Sequence, residues 1–124
     1  MNYKFYRGPT GRNYVEDFVD ALSDKQAAKA AWAFDLIENH ERTNLARTRY
    51  FKKLEGTDDI WEIRVGFGGD IFRFLGFFDN DVFIINHGFV KKEQKTKRRE
   101  IEIAESRKSE YLARNRIRKV SHNS

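Results

Sequence analysis

The chain has 124 residues, enough for one domain that buries about two-thirds of its unfolded surface. Its 11 Phe, 5 Tyr and 2 Trp argue against wholesale disorder, and the lack of Cys excludes a disulfide scaffold, a thiolate metal site and a cysteine nucleophile. The net charge of +5 is local: residues 91–119 carry 12 Lys/Arg against 5 Asp/Glu, whereas residues 1–90 carry 12 against 14, so one surface is expected to meet a polyanion.

In chain order, Tyr3 to Arg7 alternates as a short strand and stops at Gly8-Pro9. From Asn13 the apolar residues recur at helical spacing (Tyr14/Val15, Phe18/Val19, Leu22), and Asn13 with Glu16 resembles a capping box. Ser23 with Gln26 repeats the signal and starts a second helix. Its inward face is predicted as Ala27, Ala30/Ala31, Phe34 and Ile37, fading near Asn39-His40. A polar, basic stretch follows and closes at Gly56. Three strands then succeed one another: "IWEIRV", with Trp61, Ile63 and Val65 on one face and Glu62 and Arg64 on the other, then "IFRFLGFF", then "VFIINHGF". The short turns between them predict an antiparallel meander. A last helix is predicted from about Thr96 to Arg114, with Ile101, Ala104, Tyr111 and Leu112 inward. Residues 1–115 form the expected single domain and 116–124 a frayed tail. The order β-α-α-β-β-β-α predicts an α+β fold, a small, mostly antiparallel sheet with its helices on one face and the other face partly open. No apolar run reaches the roughly 20 residues of a membrane span, and "MNYKFYRG" lacks the apolar core of a signal peptide, so a soluble, cytoplasmic protein is expected.

Several cations stand out. Arg73 interrupts an apolar strand and must either pair with an internal acid or face an open groove. Arg64 lies on the polar side of its strand beside Glu62. His87 ends the last strand, Lys91 and Lys92 follow, and Lys52 and Lys53 precede the meander. The histidines, at 40, 87 and 122, show no metal-ligand spacing, and no P-loop, dinucleotide fingerprint or nucleophile elbow is present, so neither metal nor cofactor is expected. If Lys52 or Lys53, Arg64, Arg73, His87 and Lys91 or Lys92 converge on the open face, they form a cationic cleft with one neutral base. Such a cleft suits attack of an RNA 2′-hydroxyl on its own phosphate, because the substrate supplies the nucleophile.

"YFKKLEG", "WEIRV", the isolated Arg73 and "HGFVKKEQKTKRREIEIAESR" resemble the HigB-like branch of the RelE/ParE superfamily, the toxins of type II toxin–antitoxin pairs, over residues 3–111. The resemblance implies a RelE-like fold and a metal-independent endoribonuclease that cleaves mRNA in the ribosomal A site and inhibits translation. By position it implies catalytic roles for Lys53, Arg64, Arg73, His87, Lys91 and Lys92. Lys52, Lys95, Lys97, Arg98 and Arg99 complete the expected RNA-binding surface. It also implies a co-encoded antitoxin, often of helix-turn-helix type, and allows a toxin–antitoxin heterotetramer. Lys97 stands where relatives carry proline, and the first tyrosine after the last strand is Tyr111, so the general base stays open between His87 and a lysine. The alternatives are a superfamily toxin that acts by protein binding, as a gyrase poison does, and a basic RNA-binding module without activity.

Overall fold

The computed structural model describes residues 1–91 and 96–123, with side chains placed as far as residue 117. Nine elements follow in order: β1 (Asn2–Phe5), α1 (Tyr14–Asp20), α2 (Asp24–Glu38), α3 (Arg42–Leu45), β2 (Phe51–Lys53), β3 (Trp61–Phe67), β4 (Asp70–Asp79), β5 (Val82–Lys91) and α4 (Arg98–Asn123). The α+β class and the meander are as expected. The five strands lie in the order β1-β5-β4-β3-β2, with β1 parallel to β5 and the other pairings antiparallel. Two-residue turns at Gly68-Gly69 and Asn80-Asp81 join the meander, and both Gly68 and Asn80 take the positive φ such turns demand.

Both predicted caps are present. The Asn13 side chain accepts from the Glu16 amide (3.0 Å) and donates to the Glu16 carboxylate (3.2 Å). Ser23 and Gln26 form a reciprocal box, each side chain bonded to the other's backbone N–H. The inner face of α2 is Ala30, Ala33, Phe34 and Ile37, so Ala33 replaces the expected Ala31. The polar stretch before Gly56 hides two short elements, α3 and β2, each anchored by one apolar residue, Leu45 and Phe51.

The helices do not share one face of the sheet. One cluster joins Val15, Phe34 and Ile37 to Phe51, Ile63, Val65, Phe72, Phe74, Phe83 and Ile85. A second, on the opposite face, joins Leu75, Phe77, Ile84 and Phe89 to Ala104 and Tyr111 of α4. The reason lies in β4 and β5, whose side chains are apolar on both sides, so that each face needs a cover. Leu112, expected inward, is exposed, and α4 is helical past Arg114 to Asn123.

Polar tethers hold α4 along most of its length. Glu105 accepts from the Asp58 amide (2.9 Å), and Lys108 donates to the Asp58 carbonyl (2.6 Å). Tyr111 donates to Asp79 (2.6 Å), while Tyr6 donates to Glu110. Burial and the hydrogen bond to Glu110 push the Tyr6 hydroxyl up to about 12. Arg114 reaches the carbonyls of Arg7 (2.6 Å) and Gly8 (3.2 Å).

The β4–β5 register shifts at Leu75/Gly76: Leu75 faces His87, Gly76 faces Ile85, and Asn86 is the extra residue. The bulge turns two successive side chains, Asn86 and His87, toward α4. Gly76 permits it, since a Cβ there would stand 2.3 Å from the Ile84 carbonyl oxygen. Gly76→Ala is therefore expected to destabilise the fold by about 3 kcal/mol, the upper end of overpacking costs, measured by urea unfolding. An unchanged midpoint would show that the two strands can separate freely at this point.

Candidate active site

Register assigns the candidate cations to faces. Lys52 stands opposite Glu62, Arg64 opposite Arg73, and Arg73 opposite Phe89, so these residues share the face covered by α4. Lys91, opposite Ile71, falls on the same face two positions beyond Phe89. Lys53 does not. It stands opposite Trp61 on the other side and forms an exposed ion pair with Asp59 at 2.6 Å. The period of two allows just one of Lys52 and Lys53 to join Arg64, and it is Lys52.

Arg73 is the best-anchored of these cations and also the least accessible, at 1 % exposed. Its Nη1 donates to Thr96 Oγ1 at 2.6 Å and lies 3.3 Å from Glu62 Oε2, while the Thr96 hydroxyl donates to the same carboxylate. Glu62 is fully buried, and its Oε1 meets no hydrogen-bond partner among the described residues. At 3.3 Å and an effective dielectric near 20, the attraction is about 5 kcal/mol, comparable to the cost of desolvating both ions. The sequence left Arg73 a choice between an internal acid and an open groove. The fold gives it the acid, so the expectation of an Arg73 open to substrate is corrected.

His87 is similarly engaged. Its Nε2 lies 2.7 Å from Glu100 Oε2, and its Nδ1 lies 3.5 Å from Arg107 Nη1. The neutral ring thus donates from Nε2 to the carboxylate and turns the Nδ1 lone pair toward the guanidinium. The ring also stacks on Phe89, with centroids 5.2 Å apart. Burial lowers the His87 pKa, the Glu100 hydrogen bond opposes that, and Arg107 and Arg99 reinforce it. The neutral imidazole expected from a cationic neighbourhood is favoured first by desolvation. Arg107 donates to the Asn86 carbonyl (2.6 Å), Asn86 donates to the Ala104 carbonyl (2.9 Å), and the Arg107 guanidinium lies 3.7 Å from the Tyr14 ring centroid. Burial lowers the Arg107 pKa as well.

The accessible cations lie where α4 leaves the sheet. Lys52 is exposed, and Arg64 and Lys91 are half-buried. Lys97, Arg98 and Arg99 are exposed around the start of α4, with Arg98 3.4 Å from both Glu102 and Glu105 and Arg99 3.8 Å from Glu100. Lys92 and Lys95 lie outside the described residues. Among the described residues no three His, Asp or Glu side chains gather to hold a metal, and no helix is long and apolar enough to cross a membrane.

Sequence reasoning missed Glu62 as the partner of Arg73, and missed Thr96, Glu100 and Arg107 altogether. A signal existed for two of them. Glu100 and Arg107 lie on the helical repeat of Ala104 and Tyr111, so they had to face the sheet whatever their polarity.

Residues 17–109 match the family model described as Phage derived protein Gp49-like (DUF891), and the chain belongs to that family. The family is associated with the RelE/HigB toxin superfamily. No curated protein and no solved structure matches the chain.

Two predictions follow from the buried groups. Glu62→Ala removes the carboxylate that Arg73 pairs with and should destabilise by about 3–5 kcal/mol in urea unfolding, whereas Glu62→Leu combined with Arg73→Met should recover most of that loss. A double variant no more stable than the single one would count against an ion pair bound by its own desolvation cost. For His87, the folded-state pKa is below the ordinary 6.5, so the unfolded chain takes up a proton that the folded one resists. Its stabilising contribution is full above pH 6.5 and is lost as the pH falls below that value, by up to about 1.4 kcal/mol per pH unit. Urea midpoints of the wild type should therefore drop between about pH 7.5 and 5.5 more than those of His87→Gln; parallel curves would contradict this.

Proposed function

We propose that the chain is the toxin of a type II toxin–antitoxin pair, and that it cleaves mRNA on the ribosome as a metal-independent endoribonuclease. Membership of a family associated with the RelE/HigB toxins supports the first part. The observation that carries the second is the gathering of Lys52, Arg64 and Lys91, from three different strands, on one face of the sheet beside the cationic start of α4.

In this reading the RNA backbone crosses the sheet at that end. The 2′-oxygen attacks the adjacent phosphorus, the bond to the 5′-oxygen breaks, and the products are a 2′,3′-cyclic phosphate and a 5′-hydroxyl. Arg64 and Lys52 stabilise the charge that develops on the phosphoryl oxygens. Lys91 donates the proton that the leaving 5′-oxygen needs, and the surrounding cations ease loss of the 2′-hydroxyl proton to solvent. Arg73 and His87 act as positioning residues: one holds Thr96 and the other holds Glu100, so both set where α4 begins relative to the sheet. The requirement for a 2′-hydroxyl restricts the substrate to RNA. The antitoxin, of helix-turn-helix type, blocks the cationic face with an acidic amphipathic segment, and action on ribosomes places the protein in the cytoplasm.

Mapping of mRNA 5′ ends after brief induction should show new internal ends bearing 5′-hydroxyls. Arg64→Ala should reduce their formation about 10²–10³-fold, the usual effect of losing one donor to a developing oxyanion, with the circular dichroism spectrum unchanged. Growth arrest with intact mRNA and broken chromosomal DNA would instead identify a gyrase poison.

A further inference from the structure

A second cationic surface lies around the edge of the sheet from Lys52 and Lys91. There Lys29 of α2, Arg49 and Tyr50 before β2, and Arg64, Val65, Gly66 and Ile71 of the meander enclose a cavity of about 420 Å³. That volume falls within the range of about 300–1,000 Å³ typical of small-ligand sites. Its lining holds three cations and no carboxylate.

Lys4 and Arg42 lie against rings elsewhere on the molecule, but several other cations rest on acids: Arg12 on Asp17 (3.0 Å), Lys53 on Asp59 (2.6 Å), Arg114 on Glu110 (3.2 Å). Lys29 and Arg49 rest on aromatic rings instead. The Lys29 ammonium lies 3.9 Å from the centroid of the Trp32 ring, and the Arg49 guanidinium lies 5.3 Å from that of Tyr50. Trp32, one of the few large apolar side chains on the surface at 39 % exposed, meets Tyr50 edge to face at 5.6 Å. The hydrogen bond from Arg49, its charge and that of Lys29 lower the Tyr50 pKa. Backbone is accessible here too. β2 begins opposite Ile63, the Arg64 amide is taken by the Tyr50 carbonyl (2.8 Å), and exposed Gly66 lies beyond the last strand pairing on that side.

An exposed indole flanked by cations without acids matches the two halves of a nucleotide, a flat base and an anionic phosphate. An acidic peptide would satisfy the cations but make no use of a flat ring wall. We propose that the pocket lined by Lys29, Arg49, Tyr50 and Arg64, together with Trp32 beside it, binds one nucleotide of single-stranded RNA, its base on Trp32 and its phosphate between Lys29 and Arg49. Displaced from the indole by the base, Lys29 moves to the phosphate. Arg64 lies at both surfaces, so the pocket holds the strand a short distance from the proposed cleavage face. The inference rests on the reading of the chain as an RNA-cleaving toxin for its biological sense, but the binding is measurable without cleavage.

The test uses the full chain and a fluorescein-labelled single-stranded RNA whose 2′-oxygens are methylated, so that it cannot be cut. Fluorescence anisotropy should give a dissociation constant that rises about 5–150-fold in Trp32→Ala, the range expected for loss of one stacked base. Lys29→Glu combined with Arg49→Glu should weaken binding at least tenfold and flatten its dependence on salt. Trp32→Phe, which keeps a ring, should restore most of the affinity. Binding by Trp32→Ala and by the double charge variant with wild-type affinity and salt dependence would overturn the proposal. So would variants that keep RNA binding but lose a co-purifying acidic partner. Methylated RNA bound through Trp32 by a chain that leaves mRNA intact would sink the endonuclease reading while the pocket assignment stood. Cleavage unaffected by these variants would do the reverse.

Discussion

A carboxylate and a guanidinium sealed inside a protein are tolerable only together, and the placement of Glu62 against Arg73 constrains much of the rest of this fold. Both are on strands, two residues apart in the β3–β4 register, and water reaches neither. Thr96 completes the cluster by accepting from one and donating to the other, which fixes the approach to α4. Such a cluster adds little net stability compared with well-packed apolar residues. Its effect is on arrangement, because any slip of β3 against β4, or of α4 along the sheet, would separate charges that cannot separate cheaply.

The cations of the same face differ in how far the fold encloses them. Arg73 is buried and Arg107 half-buried, both bonded to groups of the protein itself, whereas Lys52 is exposed. The bulge at Asn86 contributes by turning His87 onto Glu100, so that an imidazole and an amide from successive positions both grip one helix. Polar tethers hold α4 as much as apolar burial does, since among its described side chains the inward apolar surface is little more than Ile101, Ala104 and Tyr111.

That balance explains what could be read from the sequence. The meander, both helix caps and the pairing of Glu62 with Arg64 on one face followed from period and cap chemistry, which act over two to four residues. The single-face arrangement of helices did not hold, because the periodicity of α4 marks its inward residues but not which face of the sheet they cover. Yet "IFRFLGFF", apolar on both faces, already required a second cover. Arg73 was legible as an anomaly but not as a resolved one, since its partner is 11 residues away on the neighbouring strand. His87 shifted from surface base to helix clamp through a one-residue bulge, and nothing in "IINHGF" apart from Gly88 hints at an irregular strand. The edge pocket escaped altogether, as Lys29, Trp32 and Arg49 are scattered through helix and loop and meet only in the folded chain.

The parallel pairing of β1 with β5 bears on how the molecule is made. Asn2 lies beside Val82, so β1 finds its neighbour 80 positions further along the chain. Closing so long a loop before other contacts exist is entropically unfavourable, and the hairpins of the meander close far faster. The N-terminal strand must therefore wait, unpaired, until β5 has emerged and folded back on β4. A chain that stops short of β5 leaves β1 without its place in the sheet.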